Sequence, residues 1–408
     1  MRIALSTVGP WATTGYGVVT KRFIENLKAD GHEVAVFATV GTTGGGVCMW
    51  EGIPVFPPLG QGGDGIIQAH VQNWKPDVVI SFYDQWFSSN FSGEKFNWIC
   101  WNPVDHDHLP ETAGKHIRRA TKVVAMSKHG QKAMQEAGIE CEYIPLGISS
   151  NFRIDRDARH RFRKAMGIED DVFLYGSVGA NSFWPSRKGF DYLLQSFKTV
   201  HDKYPNTKLL LHTTKSAGTN PAYNLSDLVT LLGLTDSVIF TDEYSQYVGV
   251  QEEGLVEMYN AMDCFVLATV GEGFGLPVVE AQACGVPVIA TNCTSMPELV
   301  FEHCGMLVEP AEKMWVPKGD FQSVPSISGF ANSMIDAYDN LRERCNCGSG
   351  NCSGYPWRDT LAIYARPYVW DNVYREYWRP YLKKFAEERG YALPTTECSS
   401  GVEDEEAN

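Results

Sequence analysis

Two glutamates eight positions apart, Glu272 and Glu280, have the residue type and the spacing to bind a hydroxyl-rich ligand. Glu272 lies among the glycines of residues 271–275, which follow a strand-like run, 264–268, and precede a helix with Pro277 in its first turn. A loop that ends a parallel strand and opens a helix is where α/β sheets bind ligands. Both carboxylates would then face one crevice and accept hydrogen bonds from the vicinal hydroxyls of a sugar and a ribose. The alternative is that Glu272 caps a turn and Glu280 lies on the helix surface.

Two adjacent cations, Arg187 and Lys188, follow another strand-like run, 172–178, and precede a helix. The helix dipole disfavours cations at that end unless an anion binds there. An anion bound there would meet the forked N–H donors of the arginine. The alternative is an exposed, solvated pair of cations.

The most polar loop of the first half of the chain also follows a strand-like run and contains Asp105, His106, Asp107 and His108. Asp105 and Asp107 have the D-x-D spacing of some metal sites, and Mg²⁺ is bound by carboxylates together with phosphates. This spacing is common by chance, so the loop is a candidate second wall of the site with or without a metal.

Length and charge indicate a globular protein of two domains. At 408 residues the chain exceeds the size at which single cores stop growing. Its formal net charge of -14 argues against a nucleic-acid partner, because such partners are bound through Lys and Arg. No apolar run is long enough to span a membrane, and the first residues have no secretory signal pattern. We therefore expect a cytoplasmic protein with free thiols.

The cysteines fall into two groups. Several lie in apolar runs and are expected to be small core residues, namely Cys100, Cys264, Cys284 and Cys293. Cys345, Cys347 and Cys352 instead share a Gly/Ser-rich segment. Three thiols could hold a metal with a fourth ligand from elsewhere, but no C-x-x-C pair is present, and an exposed surface insertion is the other interpretation.

Strand-like and helix-like segments alternate along most of the chain, which is typical of parallel sheets covered by helices. The strand-like runs form two sets, residues 2–6, 33–38, 77–82, 98–101 and 122–126, and residues 172–178, 208–212, 237–241, 264–268, 286–290 and 305–308. A polar stretch, 155–164, separates the sets. This order predicts an α/β protein with two Rossmann-like, doubly wound parallel-sheet domains, one at 1–165 and one at 166–370.

The end of the chain differs from the rest. Residues 369–385 are aromatic and basic at near-helical spacing, which predicts a helix at about 371–392 that packs on a domain surface and returns to the first domain. Residues 395–408 are acidic and are expected to be a disordered tail.

The glutamate segment resembles the glutamate-x₇-glutamate signature of the family-4 retaining glycosyltransferases, the group 1 type that includes glycogen synthase. The matching residues are Glu272-Gly273-Phe274-Gly275-Leu276-Pro277, Glu280-Ala281, Gly285-Val286-Pro287-Val288-Ile289-Ala290 and Pro297-Glu298. Weaker resemblance covers most of the chain. It implies the GT-B fold, in which two Rossmann-like domains face each other across a cleft.

The resemblance also implies roles on the donor side. Glu272 would lie against the donor sugar and Glu280 would hold the ribose. Sugar hydroxyls would meet the loop backbone and the helix start, at Gly273, Phe274, Gly275 and Leu276. The family usually has an arginine just after the strand glycine, where this chain has Ala180 and Asn181. The diphosphate role therefore passes to Arg187 and Lys188, with Asn181 as a further donor-side candidate.

In the first domain, Gly17 belongs to a weak glycine motif, Gly15-Tyr16-Gly17, which would place backbone amides opposite the diphosphate. The resemblance also implies an active-site His or Asp near the reacting carbon. His106 and Asp105 are the candidates, and His108 stays open.

We therefore expect a retaining glycosyltransferase that moves a sugar from a UDP- or GDP-type donor to a glycan or other hydroxyl acceptor, without a metal or other cofactor. No protein nucleophile is evident, so attack on the same face as the departing phosphate is the expected route. One alternative is a nucleotide-sugar-binding protein without turnover. The other is a Rossmann-type epimerase or dehydrogenase, which would need a G-x-G-x-x-G after the first strand that this chain lacks.

Overall fold

The computed structural model describes residues 1–40, 45–85, 88–182, 186–216, 223–242, 249–301, 304–343 and 356–393. The expected tail at 395–408 and the segment with Cys345, Cys347 and Cys352 lie outside the described residues. Cys100, Cys264, Cys284 and Cys293 are buried, which confirms them as core residues. No described helix is both long enough and apolar enough to cross a membrane.

An eight-stranded sheet forms the first domain. Its strands are β1 (Arg2–Thr7), β2 (Glu33–Ala38), β3 (Cys48–Trp50), β4 (Ile53–Phe56), β5 (Val78–Phe82), β6 (Trp98–Asn102), β7 (Lys122–Ala125) and β8 (Glu142–Tyr143). They lie in the order β3-β4-β2-β1-β5-β6-β7-β8, and all neighbours are parallel except the antiparallel pair β3–β4. The helices are α1 (Gly15–Ala29), α2 (Ile67–Trp74), α3 (Glu111–Ile117) and α4 (Lys128–Glu136).

Both faces of this sheet are buried, as the alternation of side chains along a strand requires. On β1, Ile3 and Leu5 belong to one apolar cluster with Phe23 of α1. Ala4, which points the other way, belongs to a second cluster with Trp74 of α2. The loops at the carboxyl end of the sheet are thus held on a scaffold packed from two sides.

A six-stranded parallel sheet forms the second domain. The elements from its first helix onward are α5 (Arg156–Ala165), β9 (Phe173–Val178), α6 (Phe190–Lys203), β10 (Thr207–His212), α7 (Leu225–Leu231), β11 (Val238–Phe240), α8 (Glu252–Ala261), β12 (Cys264–Leu267), α9 (Leu276–Ala283), β13 (Val288–Thr291), α10 (Met296–Leu299) and β14 (Met306–Val308). The strand order is β11-β10-β9-β12-β13-β14, so the chain reverses direction across the sheet between β9 and β12. This is the doubly wound order expected from the alternation of elements.

An antiparallel hairpin follows the second sheet and was not predicted. It consists of β15 (Glu312–Val316) and β16 (Asp320–Val324), and it is followed by α11 (Ile327–Glu343) and α12 (Pro356–Ala365). A second unpredicted element is α5, which occupies the polar stretch 155–164. Asp155 caps this helix by accepting the Ala158 amide at 2.9 Å, so the polar run forms a helix.

The aromatic segment near the end of the chain is helical and packs on the first domain. It comprises α13 (Trp370–Val373), a π-helical turn (Tyr374–Trp378) and α14 (Arg379–Arg389). Trp370 and Trp378 are buried against Phe23 and Trp101 of the first domain. The Tyr374 hydroxyl donates to Asp30 at 2.9 Å. The aromatic stripe therefore serves packing, as its helical spacing indicated.

Candidate active site

Two loops of the second domain meet at the point where its strand order reverses. One follows β9 and carries Arg187 and Lys188; the other follows β12 and carries Glu272. Strands β9 and β12 are neighbours, so their carboxyl ends open into one crevice, which is where open α/β sheets bind ligands. The topology thus brings together residues separated by more than eighty positions.

Glu272 is buried between the two cations. The Lys188 ammonium donates to Oε1 at 2.6 Å, and the Arg187 guanidinium donates to Oε2 at 3.1 Å. The Thr269 hydroxyl adds a third hydrogen bond, to Oε1, at 2.9 Å. Glu272 is only 5% exposed. A buried charge is tolerated when it is paired, as this carboxylate is with the two cations. Each of the three ionic side chains in this Glu272 triad (Glu272, Arg187 and Lys188) depends on the others.

The charges in the triad act on one another. Burial disfavours the ionised Glu272, but the charges of Lys188 and Arg187 outweigh it and hold the pKa of this carboxyl below its ordinary value. Burial also disfavours the charged form of Arg187, which by itself would lower the pKa of this side chain. The charge of Glu272 outweighs burial and raises the pKa of Arg187. Burial lowers the pKa of Lys188, although the neighbouring Glu272 opposes that shift. We take Glu272 to be ionised at neutral pH.

The loop around Glu272 is held by a strained neighbour. Thr294 has a φ of 44°, which is unfavourable for a β-branched residue, and its hydroxyl accepts the Glu272 amide at 2.9 Å. The Ser295 hydroxyl donates to the Glu272 carbonyl at 2.9 Å and also to the Phe274 carbonyl. Strain of this kind persists where the surroundings fix a loop for function.

Glu280 lies on α9, partly buried, and accepts a hydrogen bond from the Tyr259 hydroxyl at 2.7 Å. Burial raises the pKa of Glu280 to about 7; the hydrogen bond from Tyr259 opposes the shift, and the charge of Glu252 adds to it. The causes of this pKa shift include no cation, in contrast to Glu272. Its protonation therefore changes near neutral pH.

The glycines of the Glu272 loop are in contact with the first domain. A Cβ at Gly271 would overlap the carbonyl oxygen of Asp105, and a Cβ at Gly273 would overlap Pro103. Gly275 has a φ of 122°, a conformation that side chains rarely adopt, and it precedes the first residue of α9, Leu276. Two of the glycines thus permit the close approach of the domains, and the third permits the turn into the helix.

The opposite wall of the cleft consists of acidic residues of the first domain. Asp105 bonds to Nδ1 of His106 at 2.6 Å, and His106 is only 1% exposed. Burial alone would raise the pKa of Asp105, but His106 foremost, then Lys318 and Arg187, lower it. A small cavity lies beside this pair and is lined in part by Asp84.

Asp84 is a site residue that the sequence reasoning missed. Burial and the charge of Asp105 raise its pKa, while Lys318 and Arg187 oppose the shift. The Tyr16 hydroxyl donates to it at 3.4 Å. Its position two residues after the end of β5, at the carboxyl edge of a parallel strand, is the signal that would have found it.

His106 and His108 are distinguished by their surroundings. His106 faces Asp105 inside the cleft, and its carbonyl accepts a hydrogen bond from His129 at 2.7 Å. The His108 side chain is 69% exposed and pairs with Asp320 of the hairpin. His106, and not His108, is thus the histidine beside Asp105, and its active-site role stays a prediction.

Two predicted donor-side residues have local structural contacts. A Cβ at Gly17 would overlap the Ala12 carbonyl, so this glycine is needed by its own loop. The buried Asn181 donates its side-chain amide to the carbonyls of Thr214 and Tyr223, at 3.2 and 2.7 Å. These contacts account for both residues without a ligand, and their donor-binding roles stay predictions.

The D-x-D motif has its carboxylates occupied by protein groups. Asp105 is paired with His106, and Asp107 accepts from the Lys313 ammonium at 2.7 Å. Within the described ranges, no group of three or more His, Cys, Asp or Glu side chains is placed to hold a metal ion.

Residues 170–316 match the family model for glycosyl transferases of group 1. This segment contains the Glu272 triad and Glu280. Residues 170–316 are a group 1 glycosyl transferase domain.

The group 1 domain has relatives among characterised proteins. The chain is 32% identical over 155 residues to mannosylfructose-phosphate synthase of Agrobacterium fabrum, a match that covers 36% of this chain and 32% of the relative. It is 31% identical over 170 residues to the GDP-mannose-dependent alpha-(1-6)-phosphatidylinositol monomannoside mannosyltransferase of Mycolicibacterium smegmatis, covering 40% of this chain and 41% of the relative. The chain thus matches less than half the length of these two relatives.

Solved structures share the two-domain GT-B fold around this domain. Sucrose-phosphate synthase of Thermosynechococcus elongatus superposes with a TM-score of 0.71 at 19% identity, covering 95% of this chain and all of that one. Anabaena HepE in complex with UDP-glucose superposes with a TM-score of 0.68 at 17% identity, covering 94% of this chain and all of that one. At such identities the likeness shows the fold, which confirms the predicted class.

Proposed function

We propose that this chain is a retaining glycosyltransferase that moves a sugar from a UDP- or GDP-type donor to a hydroxyl acceptor. The observation that carries the proposal is the buried Glu272 triad at the point where the strand order of the second sheet reverses. Two cations and a carboxylate at that point match the charge and the hydroxyls of a nucleoside diphosphate sugar.

The donor would bind mainly to the second domain. Arg187 and Lys188 would turn from Glu272 toward the diphosphate, which carries more negative charge than one carboxylate. Glu272 would then accept hydrogen bonds from the sugar hydroxyls, and Glu280 would accept from the ribose hydroxyls, one turn farther along α9. Cations fixed at the leaving group stabilise the charge that develops on it as the sugar departs.

The acceptor would enter from the first domain. Its hydroxyl would lie near Asp105 and His106, which face the Glu272 loop across the cleft. Close packing of the two domains would exclude water, which otherwise hydrolyses the donor. Asp84, with its raised pKa, is suited to receive the proton of the attacking hydroxyl.

A retaining outcome is proposed from the resemblance of the Glu272–Glu280 segment to the signature of the retaining glycosyltransferases. In the proposed reaction Glu272 accepts from the sugar hydroxyls and Asp105 is paired with His106, so neither carboxylate acts as a nucleophile. A retaining reaction without a protein nucleophile proceeds when the acceptor attacks on the face that the diphosphate leaves. The acceptor proton would pass at the same time to a nearby base or to the departing phosphate.

The experiment measures nucleoside diphosphate release from a panel of UDP- and GDP-sugars, with the anomeric configuration of the product determined by NMR. UDP-glucose and GDP-mannose lead the panel, because HepE is described in complex with the first and the mycobacterial relative is named for the second. Acceptors with free sugar hydroxyls are supplied in turn. Release from at least one donor, with a retained anomer, is the expected result.

Two matched variants tie that activity to the site. Glu280→Gln should raise the donor KM at least tenfold, because an amide is a weaker acceptor than a carboxylate for ribose hydroxyls. Glu253→Gln, an exposed glutamate on the neighbouring helix α8, should behave as wild type. Equal donor KM values in the two variants would remove Glu280 from the donor site.

A further inference from the structure

The hairpin β15–β16 lies between the second sheet and α11 and reaches the first domain. The region that matches the group 1 family model ends at residue 316, the last residue of β15, so β16 lies beyond it. The strands pair from Glu312–Val324 to Val316–Asp320, and the turn between them contains Lys318.

One strand of the hairpin bonds to the loop that carries Asp105 and His106. The Asp320 carboxylate accepts the backbone amide of His108 at 2.6 Å and pairs with its Nδ1 at 3.0 Å. The Asp107 amide donates to the Phe321 carbonyl at 3.1 Å. The Gln322 side chain donates to the Asp105 carbonyl at 3.2 Å.

The same strand bonds to the loop that carries Glu272. The Ser323 amide donates to the Val270 carbonyl, two residues before Glu272, at 2.9 Å. The Lys313 ammonium of β15 donates to the Ser323 hydroxyl of β16 at 3.0 Å and to Asp107 of the acidic wall at 2.7 Å. The hairpin is therefore hydrogen-bonded to both walls of the cleft.

The bonding side chains of the hairpin are fixed in place. Asp320 is 5% exposed and Gln322 is 9% exposed, although the strand is only five residues long. Lys318, in the turn, places a positive charge that lowers the pKa of Asp105 and opposes the rise at Asp84. The hairpin thus sets both the position and the electrostatic surroundings of the acidic wall.

We propose that the hairpin is a positioning element for sugar transfer, in which Asp320 and Gln322 hold Asp105 and His106 at a fixed distance from Glu272. This inference rests on the proposed function, because the distance matters for a reaction between a donor on one wall and an acceptor on the other. Asp320 and Gln322 act through the loop and touch neither substrate.

The size of the effect follows from the geometry of group transfer. A displacement of about 1 Å at the reacting atoms costs about 10²-fold in rate. Among the described residues, the side-chain bonds of Asp320 and Gln322 go to the loop of Asp105 and His106 and not to Arg187, Lys188 or Glu280, so donor binding should not depend on these two side chains. Loosening the loop should therefore lower kcat and leave donor affinity unchanged.

Hydrogen–deuterium exchange tests the positioning without any turnover. The amides of Asp107 and His108 donate to the hairpin, so they should exchange slowly in the full-length wild type. In Asp320→Ala they should exchange at least tenfold faster, while amides of β10 keep their wild-type rates. Asp320→Asn retains an acceptor for the His108 amide and should restore most of the protection. Unchanged exchange at both amides in Asp320→Ala would overturn the proposal.

Steady-state kinetics tests whether loosening the loop lowers kcat and leaves donor affinity unchanged. Asp320→Ala should lower kcat by ten- to a hundredfold, with donor KM and the calorimetric Kd for UDP or GDP within about twofold of wild type. Glu312→Ala, an exposed acid on the same hairpin, is the matched control and should keep the wild-type kcat. If Asp320→Ala does not fold, Gln322→Ala, which removes the bond to the Asp105 carbonyl, gives the same reading.

Failure of the proposed function and failure of the positioning role give different results. A wild type that turns over no donor contradicts the proposed function, whatever the exchange rates show. A wild type that is active while Asp320→Ala and Gln322→Ala retain full kcat contradicts the positioning role alone. Parallel loss of kcat and nucleotide affinity in Asp320→Ala also contradicts it, because a positioning residue for the acceptor wall should spare the donor.

Discussion

The two walls of the cleft are built in different ways. The donor wall comes from neighbouring strands of one sheet, and its charged groups Glu272, Arg187 and Lys188 bind one another directly. The acidic wall, with Asp84 and Asp105, comes from loops of the other sheet and is fixed from outside by a hairpin of the second domain. The charged side chains of the donor wall thus hold one another, whereas those of the acidic wall lie on a loop that is held by side chains of the other domain.

The largest losses of activity and stability are expected from a substitution at Glu272, the centre of the donor wall. Glu272→Gln should lower kcat by at least about 10²-fold, because the sugar loses a charged acceptor fixed in a buried site. It also leaves Lys188 and Arg187 without their partner, which should cost about 3–5 kcal/mol in the free energy of unfolding. Steady-state kinetics and urea unfolding measure the two losses.

A double variant separates the contributions of charge and packing. Lys188→Met alone leaves Glu272 short of a cation, and combining it with Glu272→Gln removes both members of the pair. The double variant should be more stable than the sum of the single losses predicts, since the two sites are in contact. Additive unfolding free energies would contradict direct pairing in the triad.

The next effect concerns the contact between the walls. Gly271→Ala places a Cβ against the Asp105 carbonyl, so the domains must move apart. We expect kcat to fall at least tenfold while the Kd for UDP or GDP changes by less than about threefold. A fully active Gly271→Ala variant would show that this contact is not needed for turnover.

The two walls should also give opposite pH dependences: donor affinity should fall as the pH is lowered, and kcat should fall as the pH is raised. The pKa of Glu280 is about 7, and its ionised form is the better acceptor of ribose hydroxyls, so donor affinity should weaken as the pH falls through 7. About a threefold to tenfold rise in Kd from pH 8 to pH 6 is expected. The titration is best followed with an intact nucleotide sugar, because a terminal phosphate itself titrates near pH 6. Glu280→Gln should bind more weakly and without this pH dependence.

The smallest effect is expected on the acidic wall. The hydrogen bond to Asp320 raises the pKa of His108, against the small effect of burial, and the charges of Asp320, Asp107 and Glu136 add to the rise. A raised pKa means that the charged pair is complete at low pH and is lost as the pH rises through that value. We expect kcat of the wild type to fall by less than about threefold as the pH rises through the pKa of His108. His108→Gln should lack the step, and a step of equal size in that variant would assign it to another group.

The donor wall was largely predictable from the sequence, because its chemistry is local. Strand and helix patterns were enough to place Glu272 in the loop after β12 and Glu280 on the helix that follows. A shared crevice for the two carboxylates stays a prediction. The adjacent cations Arg187 and Lys188 stood out because they precede a helix start, where the dipole disfavours them. The α/β class and most of the strands followed from the alternation of elements, whereas the short strands β3, β4 and β8 were not predicted.

The acidic wall was less predictable, because it depends on contacts between distant segments. Asp84 is a single acid after a strand, and nothing near it in the sequence indicates that Asp105 lies beside it in the fold. The hairpin residues Asp320 and Gln322 gain their importance from a loop more than two hundred positions earlier. Gly271 and Gly273 lie against Asp105 and Pro103 of the first domain, and no pattern near the two glycines indicates this contact.

The most direct test of the central claim is the calorimetric Kd of nucleoside diphosphates and monophosphates for the wild type and Arg187→Gln. If Arg187 and Lys188 hold the diphosphate, UDP or GDP should bind the wild type at least tenfold more tightly than UMP or GMP. Arg187→Gln should lose about 1.5–3 kcal/mol of diphosphate binding and little monophosphate binding. Equal affinity of the wild type for the diphosphate and the monophosphate would contradict a donor site at the Glu272 triad.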